Sequence, residues 1–178
     1  MPSTNIRVVV RVRPFNARER AGNVQCTLTG QGNSICIVHP ETVGTLKETK
    51  HSFTFDNCYW SMGSDVDGSG AVPPNTSQHD VFQDLGTVVI KNAFEGFHSS
   101  IFAYGQTGAG KSFTMMGDPW DQEKAGIIPR LCRELLSGQQ HQEEQQKEQQ
   151  QTAKETRHQL QVSYLEVKMN RLGLRDRH

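Results

Sequence analysis

"SSIFAYGQTGAGKSFTMMG", residues 99–117, is the stretch from which this chain is best read. Its first six residues have the apolar character of a buried strand, "GQTGAG" of a loop, and "KSFTMM" of the first turns of a helix. Gly105, Gly110, Lys111 and Ser112 fit the phosphate-loop pattern G-x-x-x-x-G-K-S/T, with Gln106, Thr107, Gly108 and Ala109 in the variable positions. The glycines let the backbone turn tightly so that successive N–H groups point at phosphate oxygens, and the helix start adds its positive end. Lys111 would reach the β- and γ-phosphates, and the Ser112 hydroxyl would ligate Mg²⁺. A strand before the motif and a helix after it are the context the pattern requires.

Binding phosphate is not hydrolysing it. Hydrolysis also needs a strand ending in Asp to position the metal and a group to orient water. No run of four apolar residues followed by Asp occurs. "FTFD" ends in Asp56 but precedes the loop and has a polar centre; "SYLEV" offers Glu166, which belongs with the last strand. The residues therefore indicate nucleotide binding, and no catalytic residue is assigned.

Working outward, "IRVVVRVRP" alternates Ile6, Val8, Val10 and Val12 on one face with Arg7, Val9, Arg11 and Arg13 on the other, and Pro14 ends the run. Between Val24 and Phe55, short apolar pieces broken by "GQGN" and "HPETVG" predict a small antiparallel meander. Residues 61–77 read as a surface loop. Ser77 and Asp80 make a capping box, and Val81, Phe82, Leu85, Val88, Val89 and Phe94 recur at helical spacing up to Gly96. A further helix, "IIPRLCRELLSG", carries Pro129 in its first turn and is expected to stop at Gly138. Residues 139–159 form a Gln-rich low-complexity insertion with no apolar face, either a solvated helical extension or a disordered segment. "QLQVSYLEV", 159–167, resumes a strand pattern.

The 178 residues suffice for one domain with an insertion. Lys plus Arg balance Asp plus Glu at 19 each, so no global field draws nucleic acid or an anionic membrane. Cys26, Cys36, Cys58 and Cys132 form no CxxC pair and lie at ligand spacing from no His, which fits thiols of a reducing compartment better than a metal or redox site. The amino terminus builds no signal core and no stretch has the length of a membrane span, so a cytosolic protein without membrane contact is expected.

Taken in order, the "RVRP" strand, "FTFD" with the aromatic pair in "DNCYWS", the "VF" helix, "GFHSSIFAYGQTGAGKSFTMMG", "GIIPRLCRELL" and "VSYLEV" resemble the kinesin motor domain, and most closely the kinesin-3 branch. The resemblance implies an α/β fold of the P-loop NTPase type, a mixed central sheet flanked by helices. It also implies ATP and Mg²⁺ as ligands, and microtubules as the partner in a motor that couples hydrolysis to movement. By position, Arg11, Arg13 and Pro14 match the family's adenine-side motif, with Pro14 stacking on the base and Phe113 lying against its other face. A cytoplasmic, cytoskeletal location follows, and the resemblance names no cargo.

The departures come late. After "SYLEV" the chain reads "KMNRLGLRDRH", where Arg175 and Asp176 echo the family's "VRDLL" segment out of register. The two switch motifs and the principal microtubule-binding elements have no counterpart. The expectation is thus a truncated motor domain over residues 5–178, its amino-terminal portion, which binds nucleotide at most. The alternative is a non-motor P-loop module that uses the Gln-rich segment for interaction and folds alone. A small P-loop kinase is disfavoured because no arginine-rich lid is present and "RVRP" would go unexplained.

Overall fold

The computed structural model describes residues 6–22, 24–42, 47, 49–62 and 75–148, with side chains through 137. Two compact units divide the chain, Met1–Glu134 and Leu135–His178. The first holds every candidate site residue; of the second, only the helical run to Glu148 is described.

The amino-terminal strand β1 (Val9–Val12) leads into a short helix α1 (Ala17–Ala21). The meander follows as β2 (Leu28–Gln31), β3 (Ser34–Val38) and β4 (Lys50–Thr54), paired antiparallel in that order as the turn residues predict. Asn57–Trp60 forms β5, which pairs in parallel with β1 from Val9↔Asn57 to Val12↔Trp60. In sequence this stretch shows only an aromatic pair; it becomes a strand through its pairing with β1.

The period of two in β1 divides the interior into two halves. Val10 and Val12 pack with Cys58, Trp60, Met62 and Ile35, so the meander covers one face of the β1–β5 pair. Val9 and Tyr59 pack with Val81 and Ile127, so helices cover the other. Trp60 is 1% exposed, and the meander admits its ring only because β2 carries Gly30, where a Cβ would stand 2.1 Å from the indole.

Helix α2 (Gln78–Phe94) starts at the expected capping box, with Ser77 accepting from the Asp80 amide and Asp80 accepting from the Ser77 amide. Val81 and Phe82 are buried, while Val88 and Phe94 remain exposed. Helix α3 (Lys111–Met115) follows the glycine loop, and α4 (Ile127–Glu148) carries Pro129 in its first turn.

Two expectations need correction. Helix α4 runs through Gly138 to Glu148, because one glycine costs a helix only about 1 kcal/mol and the Gln, Glu and Lys that follow are good helix formers. The start of the Gln-rich segment is therefore helical. Residues 97–105 are not a strand: they have no regular structure, and Phe102 and Tyr104 are 90% and 101% exposed. A strand exists only through its neighbours, and among the described residues β1 pairs with β5 alone. Of the expected surface loop 61–77, the ends are described: Met62 is buried, and Trp60 and Ser61 hydrogen-bond to Thr76. Most of that loop, the rest of 139–159 and the strand expected at 159–167 lie outside the described residues.

Candidate functional site, a glycine loop beside the end of β1

The loop between Tyr104 and α3 turns on glycine. Gly105, Gly108 and Gly110 have φ of 144°, 80° and 91°, a region that L side chains rarely adopt. The Ala109 amide donates to the Gln106 carbonyl at 3.1 Å, closing the turn, and a Cβ at Gly105 would come within 3.1 Å of the Ala109 methyl. Gly110 is the N-cap of α3 and offers no side chain to its first amides, which leaves those donors to a ligand or solvent.

The Lys111 ammonium folds back over this loop, donating to the carbonyls of Gly105 at 2.7 Å and Gln106 at 2.9 Å. These exposed, water-competed contacts are weak enough to be exchanged for an anion. The Ser112 hydroxyl is exposed and meets no partner among the described residues. Behind the loop lies a cavity of about 140 Å³ bounded by Val9, Arg11, Ala109, Lys111 and Thr114 among others.

The end of β1 lies alongside. A Cβ at Gly110 would be 3.8 Å from that of Arg13, which sets the "RVRP" segment next to the loop. Arg13 is held by Glu19 through two bonds of 2.7 Å, and its Nη1 also donates to the Pro14 carbonyl. Glu19 in turn accepts from the Asn16 amide in the capping box of α1. Hydrogen bonds from Arg13 and from the Asn16 backbone hold the Glu19 carboxyl down at about 2. Pro14 is exposed.

Arg11 takes a different course from the one the sequence suggests. Its guanidinium turns inward, Nε to Ser61 Oγ at 3.0 Å and Nη1 to Gln78 Oε1 at 2.6 Å and Thr114 Oγ1 at 3.2 Å. It also lies 5.6 Å from the centre of the Phe113 ring, a cation–π distance. Burial lowers its pKa from the ordinary arginine value, yet leaves it a cation at neutral pH. The structure thus gathers Gly105–Phe113 with Arg11 and Arg13, and adds Ser61, Gln78 and Thr114, which the sequence reading missed. Gln78 carries a weak signal: a polar residue just inside a capped helix start, where solvent is the usual partner.

The family model "Kinesin motor domain" matches residues 11–173 of the chain. The chain belongs to the kinesin motor-domain family. Its relatives include the human "Kinesin-like protein KIF1B", 41% identical over 172 residues that make up 97% of this chain and 8% of that protein. The kinesin-like protein unc-104 of Caenorhabditis elegans is 36% identical over 169 residues, 95% of this chain and 10% of that one. These relatives agree with the kinesin-3 likeness of the loop and its flanks. A solved structure of KIF14 with ADP in complex with a microtubule superimposes with a TM-score of 0.65 at 36% identity, over 77% of this chain and 34% of that one. The fold is that of part of a kinesin motor domain, an α/β P-loop NTPase. This kinesin-family chain spans a small fraction of the relatives it matches.

Proposed function

We propose that this chain is the ATP-binding part of a kinesin-like microtubule motor, and that its own activity is to hold Mg·ATP at residues 105–113 beside the end of β1. Gln106, Thr107, Gly108 and Ala109 supply the curved backbone over the phosphates. Lys111 exchanges the carbonyls of Gly105 and Gln106 for the β- and γ-phosphate oxygens, so its charge meets the ligand without moving a helix. Arg11, Arg13, Pro14 and Phe113 form the base side, with Arg11 set deepest. Ser112 would hold Mg²⁺, which neutralises charge between the β- and γ-phosphates when bound. Hydrolysis, and movement along microtubules, belong to the longer motor, and a cytoplasmic, microtubule-associated location goes with that reading.

The observation that carries the proposal is the loop itself: three glycines at positive φ, with a lysine whose only hydrogen-bond partners among the described residues are two loop carbonyls. A glycine-rich turn of purely structural use has no need of that lysine. Calorimetric titration of the chain with Mg·ATP, beside Lys111→Ala, tests it. Loss of at least about tenfold in affinity is expected in the variant, the worth of one charge-assisted hydrogen bond. Equal affinity in both, or none in either, overturns the assignment. Turnover followed in the same samples, with and without microtubules, tells a binding segment from a working motor.

A further inference from the structure

One buried amide organises the base side of the site. Gln78, the first residue of α2, is 5% exposed and is the only polar side chain buried among the described residues. Its Oε1 accepts from Arg11 Nη1 at 2.6 Å. Its Nε2 donates to the main-chain carbonyls of Phe113 at 2.6 Å and Lys124 at 3.1 Å. A guanidinium can only donate and a carbonyl can only accept, so the amide has one possible orientation, with oxygen toward Arg11. Both of its protons and its oxygen are used.

This one side chain therefore grips the two groups that the ATP reading sets against the base. It holds Arg11 by the guanidinium and Phe113 by the backbone that aims its ring. Ser61 and Thr114 occupy further donors on Nε and Nη1, which leaves Nη2 without a hydrogen bond among the described residues. The Phe113 ring above it is 46% exposed. An arginine free to sample its rotamers loses that freedom on contact with a ligand, and one already fixed does not.

We propose that Gln78 is a positioning residue for the nucleotide base: it pre-sets the free Nη2 of Arg11, a donor for a purine ring nitrogen, and the Phe113 ring that stacks on the base. The proposal rests on the ATP reading above. It separates Gln78 from the phosphate-holding groups, and so it predicts an effect that depends on the presence of a base.

The test compares Mg·ATP with inorganic Mg·triphosphate, titrated into the whole chain and into Gln78→Met, which keeps the length of the side chain and removes both polar ends. The expected result is an ATP Kd raised about tenfold, with the triphosphate Kd changed less than about twofold. A role confined to tying α2 to the Lys124 loop would lower the melting temperature and leave the ratio of the two Kd values unchanged, and that result overturns the proposal. If Gln78→Met does not fold by circular dichroism, Ser61→Ala decides. It removes the acceptor of Arg11 Nε, outside the glycine loop, and is expected to weaken ATP alone, by about threefold; an equal effect on both ligands, or none on either, overturns the proposal. Wild-type chain that binds neither ligand overturns the ATP reading and this inference together, whereas wild-type binding with an unchanged ratio in the variant overturns this inference alone.

Discussion

The Tyr59 hydroxyl donates to the carboxylate of Asp84 where β5 meets α2. Arg7 reaches the same carboxylate at 2.6 and 2.7 Å, and Asn57 at 2.9 Å, so one acidic side chain ties β5, α2 and the segment leading into β1. Burial alone would raise the pKa of Asp84, but the three donors outweigh it and the net shift is downward. Burial, then the bond to Asp84, pushes the Tyr59 phenol up.

Asp84→Asn keeps the shape and removes the charge that three donors share. It should lower unfolding stability by about 1–2 kcal/mol, discounted because Arg7 and Asp84 are partly solvated. Urea melts of Asp84→Asn, Tyr59→Phe and the double variant measure it; strictly additive losses would mean the two residues do not act together.

Acid should weaken the fold as its lowered carboxylates take up protons, Glu19 and Asp84 among them. Glu19 is held at about 2 against an ordinary value of 4.5, and Asp84 is also lowered, so each binds its proton less readily in the folded chain. Their stabilisation is complete above the unfolded pKa values and is lost as pH falls through the folded ones. Urea midpoints should therefore drop from about pH 4.5 toward pH 2, and less steeply in Glu19→Gln. Tyr59 has the opposite sign: its raised phenol stabilises below the unfolded pKa, and that contribution fades as pH rises through the folded one. Absorbance titration should find one tyrosine ionising late, and Tyr59→Phe should remove it.

Gly30→Ala is a test of the packing beneath β1. The new methyl would stand 2.1 Å from the Trp60 ring, which is fully buried and must move or expel β2. Overpacking of this kind costs about 1–3 kcal/mol, and a red shift in Trp fluorescence should accompany it. An unchanged melt and spectrum would show that the indole has room.

What was legible in the sequence was local. The alternation in β1, the glycines between the meander strands, the Ser77–Asp80 box and the left-handed glycines of the loop each act within a few residues, where period and turn chemistry speak directly. β5 was hidden because "NCYW" has too few residues to show a period and becomes a strand only by pairing with β1. The same dependence, with the opposite outcome, leaves residues 99–104 outside any sheet. Arg11 looked like a surface or ligand-binding cation because its partners Ser61, Gln78 and Thr114 are 50, 67 and 103 residues away.

The capping box of α2 makes a smaller prediction. Ser77→Ala leaves the Asp80 amide without its acceptor and should cost about 1 kcal/mol, the usual worth of an N-cap. Because Gln78 is the next residue, fraying at this end should also loosen Arg11, seen as faster amide exchange at Gln78 and Thr114.

The parallel pairing of β1 with β5 has a consequence for how the chain folds. Val8 donates to the Asp56 side chain at 2.6 Å across 48 residues, and the whole meander lies between the paired strands. β1 is synthesised before β5 and, among the described residues, has no other strand to pair with. The meander closes through near-neighbour hairpins and shortens the loop that must be shut before β1 can dock. The expected order is hairpins first and β1 last, so the strand that delivers Arg11 and Arg13 to the glycine loop should gain its amide protection after the meander in pulse-labelled exchange.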